Sequence, residues 1–191
     1  MQAARGASLN SGDDDTQPEG TEPPPRRLKA FLLVAALVYV LDQVTKILAV
    51  RMLESEPSVT VIPGVLDLRF LRNPGAAFGM AASLTWLLSL AAIAVAIAVV
   101  VMASRLRNRT WATALGLLLA GAVGNLTDRI FRKPGPLRGH VVDFLEFPLW
   151  PVFNVADTAL TIACVLILVQ SFRGIGIDGV RARPAVPPGT R

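Results

Sequence analysis

Thiols and imidazoles are almost missing from this chain. Its 191 residues hold one cysteine, Cys164, and one histidine, His140. An intramolecular disulfide is excluded, a cysteine-based metal cluster is disfavoured, and a multi-histidine site cannot be built. Charge is also scarce. Only 17% of residues are Asp, Glu, Lys or Arg, against about 25% in soluble domains, while 52% are hydrophobic and mean hydropathy is +0.51. That balance excludes a disordered chain and argues against an ordinary soluble one. The net charge of +5 would suggest a nucleic-acid partner in a soluble protein. Here the basic residues flank apolar blocks instead of lining one face, so no nucleic acid is expected.

The apolar residues fall into four blocks, about 30–50, 80–103, 111–131 and 152–172. Each has the roughly 20 residues that a helix needs to cross a bilayer. Residues 58–72 differ in kind. Val59, Val61, Val65, Leu66, Leu68 and Phe70 partly alternate with polar residues around a Pro63-Gly64 turn, which predicts two short strands. Open strand edges are not tolerated in lipid, so these strands belong at the membrane surface. The expected fold is an all-α polytopic membrane protein with four transmembrane helices and a small extracytoplasmic β platform. Residues 1–28 and 174–191, rich in Gly, Pro and charge, are expected to be disordered cytoplasmic tails around a membrane domain at 29–173. Arg26, Arg27 and Lys29 before the first helix, and Arg105, Arg107 and Arg109 after the second, favour cytoplasmic termini, against Arg51, Arg69, Arg72, Arg129, Arg132, Lys133 and Arg138 on the other side. A cleaved signal peptide is the simpler reading of the first block; its length, the lack of a small-residue cleavage site and the three later spans disfavour it.

In an up-down bundle, helices one and three end on the side where two and four begin. Asp42 and Lys46 of helix one, Asn73, Gly75 and Phe78 before helix two, Asn125, Asp128 and Arg129 at the end of helix three, and Asp143, Asn154 and Asp157 around the start of helix four then share that side. Ionisable groups in a bilayer are costly and need partners or a function. Asp42 and Lys46, spaced i,i+4, are expected to pair structurally. Asp143 and Asp157 have no basic residue at helical spacing, although Arg129 could reach either. The Ala112, Gly116, Ala120, Gly124 stripe of helix three is a packing device. Trp86, Trp111 and Trp150 read as interfacial anchors, and Cys164 as a small packing residue.

Two neighbouring carboxyls, one protonated and one ionised, can activate water and protonate a leaving amine. They could instead bind metal or relay protons. Metal would want more ligands than one histidine and scattered acids provide, and relays use acids spread through the membrane depth. A carrier would need a polar path through both halves of the bilayer. An assembly subunit without chemistry would have its acids satisfied by Arg129 and Lys46, and a phosphatidyltransferase would use them to hold a metal. The residues alone do not separate Asp128 from Asp143.

The stretches LDQVTK, FLRNPGAAFGM, GNLTDRIF, GHVVDF and FNVADTAL, in that order, resemble the conserved boxes of lipoprotein signal peptidase (signal peptidase II) over about residues 30–172. The resemblance implies an intramembrane aspartic endopeptidase of the bacterial inner membrane, with its site near the outer face. It would cut prolipoproteins before a diacylglyceryl-modified cysteine, with no cofactor, no metal and no obligate protein partner beyond its substrates and membrane lipids. It assigns the catalytic pair to Asp143 and Asp157. Asn73, Gly75, Asn125, Asp128, Arg129, Asn154 and Ala156 become substrate-binding or supporting residues, and Asp42 and Lys46 structural ones. The stretch from Arg129 to Asp143 is longer than in compact members, which would bear on substrate access.

Overall fold

The computed structural model describes residues 26–75 and 84–181. Four helices, α1 (Leu28–Leu53), α2 (Thr85–Ala103), α3 (Arg109–Phe131) and α4 (Val155–Phe172), are each long and apolar enough to cross a membrane. The outward faces carry exposed aliphatics: Leu33 and Leu37 on α1, Ile97 and Val101 on α2, Val165 and Leu168 on α4. In water such surfaces would be aggregation liabilities; lipid tails receive them without penalty.

Helix α3 is the axis of the bundle and packs against α1, α2 and α4. Its small residues allow this. A Cβ on Gly116 would meet Phe31 O at 2.9 Å, and one on Gly121 would meet Ala156 O at 2.7 Å. Gly116 therefore admits α1 and Gly121 admits α4, each against backbone that cannot swing away. The expected stripe of Ala112, Gly116, Ala120 and Gly124 is buried throughout.

Strands β1 (Val59–Ile62) and β2 (Leu66–Asn73) form the expected hairpin around Gly64, whose φ of 73° suits a residue without a Cβ. The platform also has a third strand, β3 (Val141–Glu146), which the sequence pattern does not predict. The sheet is antiparallel in the order β1-β2-β3, with Leu71 opposite Asp143 and Asn73 opposite Val141. Period-two alternation sorts β3 into two faces. Val142 and Phe144 pack on Ala49 and Leu53 at the end of α1, while Val141 and Asp143 face a cavity. The alternation spans only six residues, too few to stand out in a stretch whose composition is that of a polar connection between helices.

The connection from α3 to β3 is pinned at two points near β3. Gly139 N–H donates to Arg129 O (3.0 Å) at the end of α3, and Ser89 Oγ on α2 donates to Leu137 O (2.7 Å).

Three expectations need correcting. Residues 174–181 are folded, not a free tail: Ile175 bridges Arg181, and Ile177 O accepts from Arg107 N (3.1 Å). Trp111 is buried, with its indole N–H donating to Ile175 O (2.8 Å), so it fastens this segment instead of sitting in an interfacial belt. Cys164 faces outward from α4 and packs no core. Trp86 is exposed, as an anchor would be. Phe78, the first residues of the second apolar block, and most of both expected tails lie outside the described residues.

Replacing Gly121 with valine should push α4 off α3 and cost about 1–3 kcal/mol of stability. Thermal unfolding in detergent should show the variant melting well below the parent; an unchanged midpoint would contradict the close approach.

Candidate active site

Five elements, α1, β2, α3, β3 and the start of α4, deliver polar side chains to the same end of the bundle. The start of α4 is fixed by a capping box. Asn154 Oδ1 accepts from Asp157 N (2.9 Å), and Asp157 Oδ2 accepts from Asn154 N (3.2 Å). One sequence motif, NVAD, thus both begins the helix and orients the Asp157 carboxylate. The remaining oxygen, Oδ1, accepts from Asn125 Nδ2 of α3 (2.8 Å).

Asp143 is reached from the other side. Its position on β3 aims it into the cavity, where it is 1% exposed. Oδ1 accepts from Asn154 Nδ2 (2.6 Å) and Oδ2 from Asn73 Nδ2 (2.9 Å). Asn73 is held in turn, since its Oδ1 accepts from Gly75 N (3.0 Å). Gly75 acts through its backbone alone.

Beneath the pair lies a buried ion cluster. Lys46 Nζ is 2.9 Å from Asp42 Oδ2, 2.9 Å from Asp128 Oδ2 and 3.0 Å from Asn125 Oδ1. Three protons meet three acceptors, so the ammonium is fully satisfied. Asp128 also binds Arg132 Nε and accepts from Val142 N (3.3 Å), tying α3 to β3 next to Asp143. Asp42 Oδ1 accepts from Ala156 N (2.9 Å), tying α1 to the start of α4. The absence of a side chain at Gly124 leaves room for that carboxylate, which lies 2.6 Å from where a Cβ would stand. Ala156 contributes its N–H and a methyl small enough for the helix contact.

Asn73, Asn125, Arg129, Asp143 and Asp157 line one cavity of about 260 Å³, together with Trp150, Phe153 and Thr161. Arg129 turns its guanidinium toward this space, and its buried Nε lacks a hydrogen-bond partner among the described residues. The expected Asp42–Lys46 pair is present, but it is one edge of the larger cluster. Arg132 and Trp150 join the site without any expectation from the sequence. The i,i+4 spacing of Asp128 and Arg132 is a usable signal; nothing local places Trp150, 65% exposed on the β3–α4 connection, over the cavity.

The charges nearly balance. Asp42, Asp128, Asp143 and Asp157 face Lys46, Arg129 and Arg132, so one carboxyl can hold a proton at little electrostatic cost. Asp143 is the group pushed that way. Burial raises it from the usual carboxylate range to about 7, helped by the negative charge of Asp157 and opposed by the Asn73 and Asn154 hydrogen bonds.

Two carboxyls lining one cavity, one of them holding its proton to near neutral pH, are the equipment of an aspartic hydrolase. The family model for signal peptidase (SPase) II matches residues 34–173. The chain belongs to the signal peptidase II family. The chain is 49% identical to the lipoprotein signal peptidase of Mycobacterium leprae over 85% of this chain and 81% of that one. It is 47% identical to that of Rhodococcus jostii over 88% and 87%. A bacterial membrane enzyme solved at 1.9 Å superposes with a TM-score of 0.68 at 32% identity, covering 79% of this chain and 97% of the other. The protein is therefore a multi-pass membrane peptidase of the aspartic type, as the motifs implied.

The elevated affinity of Asp143 for its proton is a stability statement. Below about pH 4 the carboxyl is neutral in folded and unfolded chains alike. As pH rises toward 7 the unfolded chain ionises first, so stability falls until the folded value is passed. Asp143→Asn should remove this loss, making the protein more stable than the parent at pH 8 by on the order of a few kcal/mol, while differing little at pH 4. Equal slopes of melting temperature against pH in the two proteins would rule the burial penalty out.

Proposed function

We propose that this protein removes signal peptides from prolipoproteins by cutting before the diacylglyceryl-modified cysteine, with Asp143 and Asp157 as the catalytic pair. The observation that carries this reading is the unequal setting of two carboxyls facing one cavity. Each carboxyl accepts two N–H donors, but burial and the charge of Asp157 bias Asp143 toward its acid form.

In the step proposed, ionised Asp157 removes a proton from water, and the water oxygen bonds to the scissile carbonyl carbon. Protonated Asp143 donates a hydrogen bond to the carbonyl oxygen as negative charge develops there. It then passes its proton to the leaving nitrogen as the C–N bond breaks. The products are a signal peptide with a new carboxylate and a lipid-modified cysteine with a free amine. Asn73 and Asn154 hold Asp143, Asn125 holds Asp157, and Arg129 lies beside the pair where a substrate carbonyl would meet it. Gly75 and Ala156 shape the walls, Asp128 anchors β3, and Asp42 and Lys46 stabilise the floor. No cofactor, nucleic acid or second protein takes part.

Arg26, Arg27, Lys29, Arg105, Arg107 and Arg109 gather at the opposite end of the bundle, which supports cytoplasmic termini and a site near the outer face of the bacterial inner membrane. The substrate's acyl chains would stay in lipid beside the exposed aliphatic faces while its backbone enters the cavity.

A cleavage assay in detergent with a diacylglyceryl-modified prolipoprotein tests the pair. Asp143→Asn and Asp157→Asn should each lose at least about 1,000-fold in kcat while eluting as folded protein, and EDTA should leave the parent's rate unchanged. Turnover near the parent level in either variant would refute the assignment. The parent's kcat/KM should also decline as pH rises beyond about 7, where Asp143 surrenders its proton.

A further inference from the structure

The buried lysine does more than neutralise its neighbours. Its third contact, beyond Asp42 and Asp128, is the carboxamide oxygen of Asn125 at 3.0 Å. That same oxygen accepts from Asn154 Nδ2 (3.2 Å). Two donors on Oδ1 fix which way the amide faces, and Nδ2 is then left pointing at Asp157 Oδ1, 2.8 Å away. Flipping the amide would set its NH₂ group against the Lys46 ammonium and its oxygen against the Asp157 carboxylate, two repulsive contacts in place of two attractive ones.

We propose that Lys46 is a positioning residue for peptide hydrolysis, acting through Asn125 to keep an N–H donor directed at the Asp157 carboxylate. The inference rests on Asp157 being the base of the proposed reaction. A donor locked on one oxygen of Asp157 holds the carboxylate rotamer, a directional constraint that the neighbouring Arg129 charge does not supply. Lys46 thereby influences a group it does not touch, and does so from helix α1, which contributes none of the described residues that line the cavity. Asparagine suits the relay because one side chain both accepts and donates. The charged groups around Asp157 are Lys46 and Asp42 on α1, Asp128, Arg129 and Arg132 on α3, and Asp143 on β3; of these, Lys46 alone hydrogen-bonds the Asn125 side chain.

A double-mutant cycle separates this from plain scaffolding. Lys46→Met by itself would leave buried Asp42 without its cation, so the cycle runs in an Asp42→Asn background; the two changes together remove one charge of each sign and leave Asp128 with Arg132. In that background Lys46→Met and Asn125→Ala should each lower kcat about 30- to 300-fold with KM changed less than about threefold. Each should also move the acidic limb of the pH–kcat profile upward by about half a unit or more. Both together should be no worse than Asn125→Ala alone. Losses that multiply, or a pH profile that stays in place while activity falls, would overturn the proposal and return Lys46 to a purely structural part. Should the Lys46→Met protein fail to fold, Asn125→Ala in the unmodified chain decides alone: it leaves all ion pairs of Lys46 intact and must still shift the profile. Asp157→Asn runs beside these variants, and appreciable turnover there would sink the dyad reading instead, so the two failures are told apart.

Discussion

Everything at the polar end of this bundle depends on one buried ammonium being satisfied. Lys46 is 0% exposed and lies in a helix long and apolar enough to cross a membrane, with exposed aliphatics on its outward face. An unpaired charge there would be prohibitive, and removing one partner of a buried pair typically costs about 3–5 kcal/mol. The solution recruits acids from two helices and an amide from the second of them. Once those are in place their remaining oxygens are committed too: Asp42 to the first turn of α4, Asp128 to the backbone of β3. The positions of α4 and β3, and hence of Asp157 and Asp143, follow from how the charge on α1 is neutralised.

Asparagine is the material that joins this cluster to the cavity. Asn73, Asn125 and Asn154 each present a donor and an acceptor without adding charge, so they can link ionised groups through a low-dielectric interior while leaving the charge balance intact. Asn154 does three jobs with one side chain: it caps α4, donates to Asp143 and meets Asn125. A glutamine is one methylene too long to close the same rings, and an aspartate would add a fifth acid where the count is already one over.

Much of this was legible in the amino-acid sequence because the bilayer simplifies the problem. Long apolar runs give four helices by length alone, and polar residues inside them stand out. The antiparallel alternation then brings Asp42, Asn125, Asp128 and Asp157 to one level without any knowledge of packing. What resisted was short or tertiary. Strand β3 alternates over only six residues and is stabilised by pairing with β2, about seventy residues away. Trp111 reads as an interfacial aromatic, and only the folded C-terminal segment reveals that its indole has a backbone partner. The different settings of Asp128 and Asp143 also lie beyond spacing. They depend on Asp128 being sequestered by Lys46 and Arg132 while Asp143 keeps an open side toward the cavity.

The bond between Asp42 and the backbone of Ala156 spans 114 positions of chain. It has a bearing on biosynthesis. Helices enter the membrane in order, and the first to arrive carries the carboxylate that receives the last. Until α4 has emerged and docked, Asp143 has no Asn154 and Asp157 is not there at all. With Asp143 and Asp157 as the proposed pair, a partly made chain is incapable of hydrolysis, and the nascent protein passes through the membrane stage of its own synthesis without exposing neighbouring polypeptides to a half-built protease.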